Sequence, residues 1–114
     1  MANAAGAGAA AAGQKVYTTN CTSCHQANGK GTPGVFPPLA GNPAVTGDPK
    51  PVIHIVKNGL TGKVVVNGTT YNGQMPAWKG TLSNTDIANV ITYIRSSWGN
   101  HAAAVTESEV SSTP

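Results

Sequence analysis

The chain has 114 residues, a formal net charge of +3 and only 5% aromatic residues, which allows one small domain with a thin core that a large apolar cofactor would complete. No apolar run is long enough to cross a bilayer. Its seven basic residues are scattered rather than gathered on a helix face beside aromatic platforms, and it has neither a phosphate-cradling glycine loop nor an acidic pair suited to acid–base work, so nucleic-acid binding and hydrolytic chemistry are set aside.

The opening stretch, MANAAGAGAAAAG, is built from small residues, with no basic residue ahead of its apolar part. It reads as a linker over residues 1–12, not as a signal peptide, and points to a domain excised from a longer chain. A first helix is expected from about Ala11 to Cys21, with Val16 and Tyr17 as its apolar patch. Gly- and Pro-rich loop follows. In DPKPVIHIVKNG, Asp48 can cap a helix, Pro49 suits its first position and Gly59 closes it, although Val52, Ile53, Ile55 and Val56 would also suit a strand. Helix is the expectation.

VVVNGTTY predicts a hairpin over Val64–Tyr71, turning at Asn67-Gly68, and NGQMPAW predicts a loop. The last helix is expected from Ser83 to about Trp98. Ser83 and Asp86 have capping-box spacing, and Ile87, Val90, Ile91, Ile94 and Trp98 share one face. Residues 101–114 lack large side chains and read as a flexible tail, which leaves residues 13–100 as the folded domain.

Both cysteines lie within Cys21-Thr22-Ser23-Cys24-His25. A disulfide between them would close a tiny loop and stabilise little. A structural zinc site needs a second ligand pair, and a thioredoxin-type redox pair needs a preceding strand. The remaining reading is attachment of haem c, for which C-x-x-C-H is the signature. Each thiol adds across one vinyl group, and His25 follows at once to ligate iron.

A six-coordinate iron needs a second ligand, and Met75 is the only internal methionine. Methionine usually fills core gaps. Here Pro76 biases Met75 toward an extended backbone, and fifty residues separate it from His25, enough to wrap a porphyrin. His54 and His101 are the competing ligands. His54 sits in an amphipathic segment, and His101 begins the tail.

With these residues in place the chain resembles a class I c-type cytochrome over about Gly13–Trp98. The matching features are the Cys21–His25 motif, Phe36-Pro37-Pro38-Leu39, Met75-Pro76 and the amphipathic final helix. The resemblance implies an all-α fold, three to four helices around one covalent haem c, with the small β-hairpin as an insertion. It implies that Gly13 and Tyr17 of the first helix cross the last helix at Val90 and Tyr93. It also implies that the Pro37 carbonyl accepts the Nδ1 proton of His25, that Leu39 packs on the haem, and that Tyr71 and Trp78 contact the haem or its propionates. Cys21 and Cys24 would bind the cofactor; His25 and Met75 would bind its iron.

The function so implied is one-electron transfer, not catalysis. Residues 13–100 carry seven basic and two acidic side chains, or +5, which suits an acidic redox partner. The sequence is similar to haem domains tethered to three-domain copper nitrite reductases, and to those accompanying terminal oxidases and quinoprotein dehydrogenases, so such an enzyme is the expected partner. Val35, Phe36 and Pro38 would form a small apolar contact patch, with Phe36 equally suited to the core. Covalent haem implies maturation outside the cytoplasm and a periplasmic location. The rival readings are a haem peroxidase or ligand sensor with a displaceable Met75, and a haem-free adaptor.

Overall fold

A computed structural model of the chain describes residues 4–114, with side-chain surroundings from Gly8 onward. The fold is all-α with one antiparallel hairpin. Its elements run α1 (Ala4–Asn20), α2 (Thr22–His25), α3 (Pro43–Thr46), α4 (Pro49–Asn58), β1 (Leu60–Val66), β2 (Thr69–Met75), α5 (Asn84–Arg95) and α6 (Glu107–Ser112). Among the described residues six helices thus stand where three or four were expected, but α2 and α3 are single turns.

Helix α1 is already formed at Ala4, the first described residue, so most of the stretch expected to be linker is helical, and residues 1–3 of it lie outside the described residues. Alanine has the highest intrinsic helix propensity, and a docked helix extends readily through an alanine run. The docking point is Gly13. A Cβ there would stand 1.9 Å from the Asn89 carbonyl oxygen and 2.9 Å from the Val90 nitrogen, so the backbones of α1 and α5 meet directly. One turn further on, Tyr17 is 1% exposed. Its ring lies 5.5 Å from that of Tyr93 and 5.2 Å from that of Trp98, and its hydroxyl donates to the Gln26 carbonyl.

Local chemistry decides the later helices. In α4, Asp48 Oδ1 accepts from the Lys50 amide at 3.0 Å, Pro49 opens the helix and Gly59 leaves it at φ 80°. Capping and the 3.6-residue spacing of Val52, Ile53 and Val56 outweigh the strand preference of their branched side chains. Helix α5 starts where Ser83 Oγ accepts the Asp86 amide at 3.0 Å, but it ends at Arg95 rather than near Trp98. The Ser96 and Ser97 hydroxyls turn back onto the carbonyls of Thr92 and Tyr93, which competes with continued helix. Trp98 adopts φ 56° and donates its indole N–H to the Ala27 carbonyl at 2.9 Å.

The hairpin is longer than expected. It pairs Leu60 with Met75 through to Val66 with Thr69, so the segment expected as a loop at Asn72–Met75 is strand. Asn67 (φ 50°) and Gly68 (φ 83°) make the two-residue turn.

Residues 101–114 are not a loose tail. Val105 and Val110 are 4% and 0% exposed, and α6 carries a complete capping box between Thr106 and Glu109. Two cations hold this segment through backbone carbonyls. Arg95 donates from Nε to Ala103 at 2.9 Å and from Nη1 to Val45 and Gly47, both at 2.8 Å. Lys57 Nζ donates to Val110 at 2.8 Å and to Thr113. Two small valines and buried cations that seek carbonyls, not large side chains, do the anchoring.

The crossing gives a test. Gly13→Ala should cost about 3 kcal/mol, the upper range of core overpacking, because the obstacle is backbone on both sides. Urea denaturation checks this, and an unchanged midpoint would mean that the helices do not meet there.

Candidate functional site

The core residues do not close on one another. They surround a cavity of ≈ 360 Å³. Its floor is the single turn α2, where the His25 amide bonds the Cys21 carbonyl at 3.0 Å, and this turn presents Cys21, Cys24 and His25 to the space. Both cysteines are half-buried and unpaired, so the geometry contains no disulfide. Burial, and then the nearby Cys24, push the Cys21 thiol up to about 11, which keeps it as S–H at neutral pH.

His25 is 8% exposed, and its Nδ1 lies 3.0 Å from the Pro37 carbonyl oxygen. A carbonyl only accepts, so Nδ1 carries the proton and Nε2 keeps its lone pair. Burial lowers the pKa of the ring, against the opposing effect of the Pro37 bond, and favours the neutral, metal-binding form. The loop between them is shaped to bring Pro37 there. Gly31 donates its amide to the His25 carbonyl at 2.9 Å, and a Cβ on Gly31 would stand 2.3 Å from the Phe36 carbonyl oxygen.

Met75 ends β2 opposite Leu60 and lines the same cavity, half-buried. Beyond Pro76 the chain is tied back to the end of α4, with the Trp78 amide on the Val56 carbonyl at 3.0 Å and that of Lys79 on Lys57 at 3.2 Å. Gly59 permits this closure: its Cβ would stand 2.5 Å from the Met75 carbonyl oxygen.

Pro37, Leu39, Tyr71 and Trp78 line the cavity with Cys21, Cys24, His25 and Met75, so the structure brings all eight sequence-derived residues to one space. Tyr71 is 7% exposed and the other three of these four are half-buried. His54 and His101 are exposed and do not line it, and His54 Nδ1 sits 3.1 Å from the Pro114 oxygen instead. Sequence reasoning missed the walls supplied by α4, α5 and the hairpin: Val52 and Val56, Val90 and Ile94, and Leu60, Val64 and Val66. The alternation of Leu60, Val64 and Val66 along the strand was the available signal.

The donor set fits a covalently held haem. Two thiols stand beside an imidazole with a free Nε2, a thioether shares the space, and the remaining walls are apolar. The cavity should therefore be sensitive to the approach of α4 to Met75. Gly59→Ala, strained at φ 80° as well as crowded, should destabilise the loaded protein by about 1–3 kcal/mol in a thermal melt. An unchanged melting temperature would rule out that close approach.

Residues 10–98 match the family model for cytochrome c. The chain is 41% identical to cytochrome c-552 of Thermus thermophilus over 96 residues, which cover 81% of this chain and 64% of that protein. It is 39% identical over 94 residues to the cytochrome c subunit of a quinone alcohol dehydrogenase from Gluconobacter oxydans, covering 80% of this chain and 19% of that subunit. It is 36% identical over 97 residues to the cbb3-type cytochrome c oxidase subunit FixP of a Bradyrhizobium species, covering 79% of this chain and 28% of that subunit. The chain thus spans less than two thirds of each of these three relatives. With the family match extending across the cavity, its thiols and its imidazole, the chain belongs to the cytochrome c family, and its cofactor is a single covalently bound haem c.

Proposed function

We propose that this electron-transfer domain holds its haem iron between His25 and Met75 and exchanges single electrons with a redox enzyme to which it is fused or docked. The observation that carries this reading is the joint placement of an imidazole with its Nδ1 committed to Pro37 and a thioether at a braced strand end, both lining one apolar cavity. When bound, the haem supplies the one-electron Fe(III)/Fe(II) couple.

The protein's part is positioning and exclusion. The Pro37 carbonyl fixes the His25 ring and raises its donor strength. The Met75 thioether, a soft ligand, favours Fe(II) and so raises the potential relative to a second histidine. Leu39, Tyr71 and Trp78 keep water from the cavity. With His25 and Met75 both as ligands the iron would have no open position for substrate, which is the arrangement electron transfer needs and peroxidase or sensor chemistry does not.

The partner meets the mouth of the cavity in this reading. Val35 and Val65 are the large hydrophobic residues left most open among the described residues, at 53% and 61%, and both border the cavity. Such a patch suits the small, transient interfaces of redox encounters. Relatives named as dehydrogenase and oxidase subunits support an enzyme of that kind as the partner. A copper nitrite reductase core rests on the sequence resemblance alone. A periplasmic location follows from the need to attach haem outside the cytoplasm. Among the described residues no helix is long and apolar enough to cross a membrane.

Visible spectra test the ligands. Met75→Ala should lose the low-spin, methionine-ligated signature of the oxidised protein and bind carbon monoxide rapidly once reduced, while the parent should resist it. An unchanged spectrum would move the ligand to His54 or His101, and rapid carbon monoxide binding by the parent would favour the sensor reading. For the partner, the reduced protein in excess over a copper nitrite reductase core should be reoxidised beyond the copper equivalents present only when nitrite is added as the terminal oxidant. No difference from the nitrite-free control would remove that enzyme and leave an oxidase or dehydrogenase.

A further inference from the structure

The sheet face turned toward the cavity has a gap in its middle. Along β1 and β2 the cross-strand pairs on that face are Leu60 with Met75, Gly62 with Gly73, Val64 with Tyr71, and Val66 with Thr69. Leu60, Met75, Val64 and Tyr71 all line the cavity, as do both glycines. Two tall pairs therefore flank a pair with no side chains. Val64 lies four steps along the strand from Leu60, so the bare stretch occupies the middle of roughly 13 Å of strand.

The chain's own conformation accounts for one glycine only. Gly62 has φ 100°, a geometry that other residues avoid. Gly73 is not at positive φ, and a Cβ on it would meet nothing nearer than the Val35 carbonyl oxygen, at an ordinary 3.8 Å. A glycine inside a strand weakens it and marks places where another group approaches the backbone closely. Neither packing nor torsion within the protein calls for a missing side chain at position 73. The space it leaves opens into the cavity.

We propose that Gly73, with Gly62 opposite, forms a bare-backbone slot that receives one edge of the haem. The inference rests on the cytochrome c assignment and extends it to the hairpin. Gly73 is a binding residue in this scheme. The tall pairs on either side keep the ring from sliding along the strands, and the slot sets its lateral position in the cavity. A side chain at position 73 competes with the ring for the same volume. A side chain at position 72 does not, because Asn72 is exposed and lies opposite Lys63 on the other face of the hairpin.

The test compares Gly73→Leu with Asn72→Leu in the full-length, matured protein. Three quantities are measured: the haem-to-polypeptide ratio, the circular dichroism of the Soret band, and the reduction potential. Gly73→Leu should lower the ratio severalfold, or alter the dichroism and shift the potential of the loaded fraction, while Asn72→Leu matches the parent. Parent-like values for Gly73→Leu in all three would overturn the slot. Equal disturbance by both variants would also overturn it, since the effect would then belong to the strand. If Gly73→Leu cannot be recovered, Gly73→Ala decides. The protein itself accommodates that methyl, so a dichroism and potential shift absent from Asn72→Ala supports the slot, and no shift overturns it. A parent without haem would instead overturn the cofactor assignment, a result distinct from any of these.

Discussion

Everything in this molecule is placed relative to the backbone contact between α1 and α5 at Gly13. A glycine there removes the one side chain that would hold the helices apart, and the Asn89–Val90 backbone fills the space. Close approach sets the direction of α1 one turn later, where Tyr17 locks into Tyr93 and Trp98. The next turn ends at Asn20, and the cysteine-bearing turn α2 starts at Thr22. The thiols and His25 are thus delivered by a rigid lever whose pivot is a missing methyl group. On the other side of the pivot, Val90 and Ile94 of α5 form a wall of the same cavity. One contact positions both the floor and the wall, which is how a chain with so thin a core defines a shaped space.

Local and non-local constraints were legible in the sequence to different degrees. Motif chemistry was legible because it is short-range: Cys21, Cys24 and His25 must act together at their spacing, and Ser83, Asp48 and Asn67-Gly68 declare caps and a turn. Met75 was legible through Pro76 and its uniqueness, although its surroundings were not. The strand that carries it pairs with Leu60 across the whole length of the hairpin, and nothing local to NGQMP announces that partner. The alanine leader and the C-terminal segment were misread for one shared reason. Both lack large side chains, and composition equates small residues with disorder. In the folded chain α1 is held by what it omits at Gly13, and the C-terminal segment by carbonyl groups, which every residue has.

Those carbonyl contacts also organise charge. Among the described residues, Lys57 and Arg95 are buried cations without a carboxylate in direct contact, and each is satisfied by backbone oxygens. Several oriented carbonyl dipoles can replace hydration where a single ion pair would leave donors unmet. The four carboxylates all sit at helix starts: Asp48 caps α4, Asp86 opens α5, and Glu107 and Glu109 open α6. None of them lines the cavity. Segments 20–39 and 60–78, which supply its mouth, contain no acidic residue. An acidic partner approaching this protein is therefore repelled from the α6 side and meets no like charge at the mouth.

The hairpin joins the two demands, because a strand alternates its side chains. On the inner face Leu60, Val64 and Tyr71 wall the cavity around the paired glycines, and Met75 stands at the end. At the alternate positions Lys63 and Val65 stand two residues apart, both exposed, with Val65 at the rim of the cavity. The register decides which β1 residues share the face of Met75 and Tyr71, and a slip of β1 by one residue would set Thr61, Lys63 and Val65 there in place of Leu60, Gly62 and Val64. The turn at Asn67-Gly68 prevents that slip, since its left-handed torsions fit a two-residue connection between Val66 and Thr69. A turn remote from His25 and Met75 thereby fixes which hairpin residues line the cavity and which stand exposed.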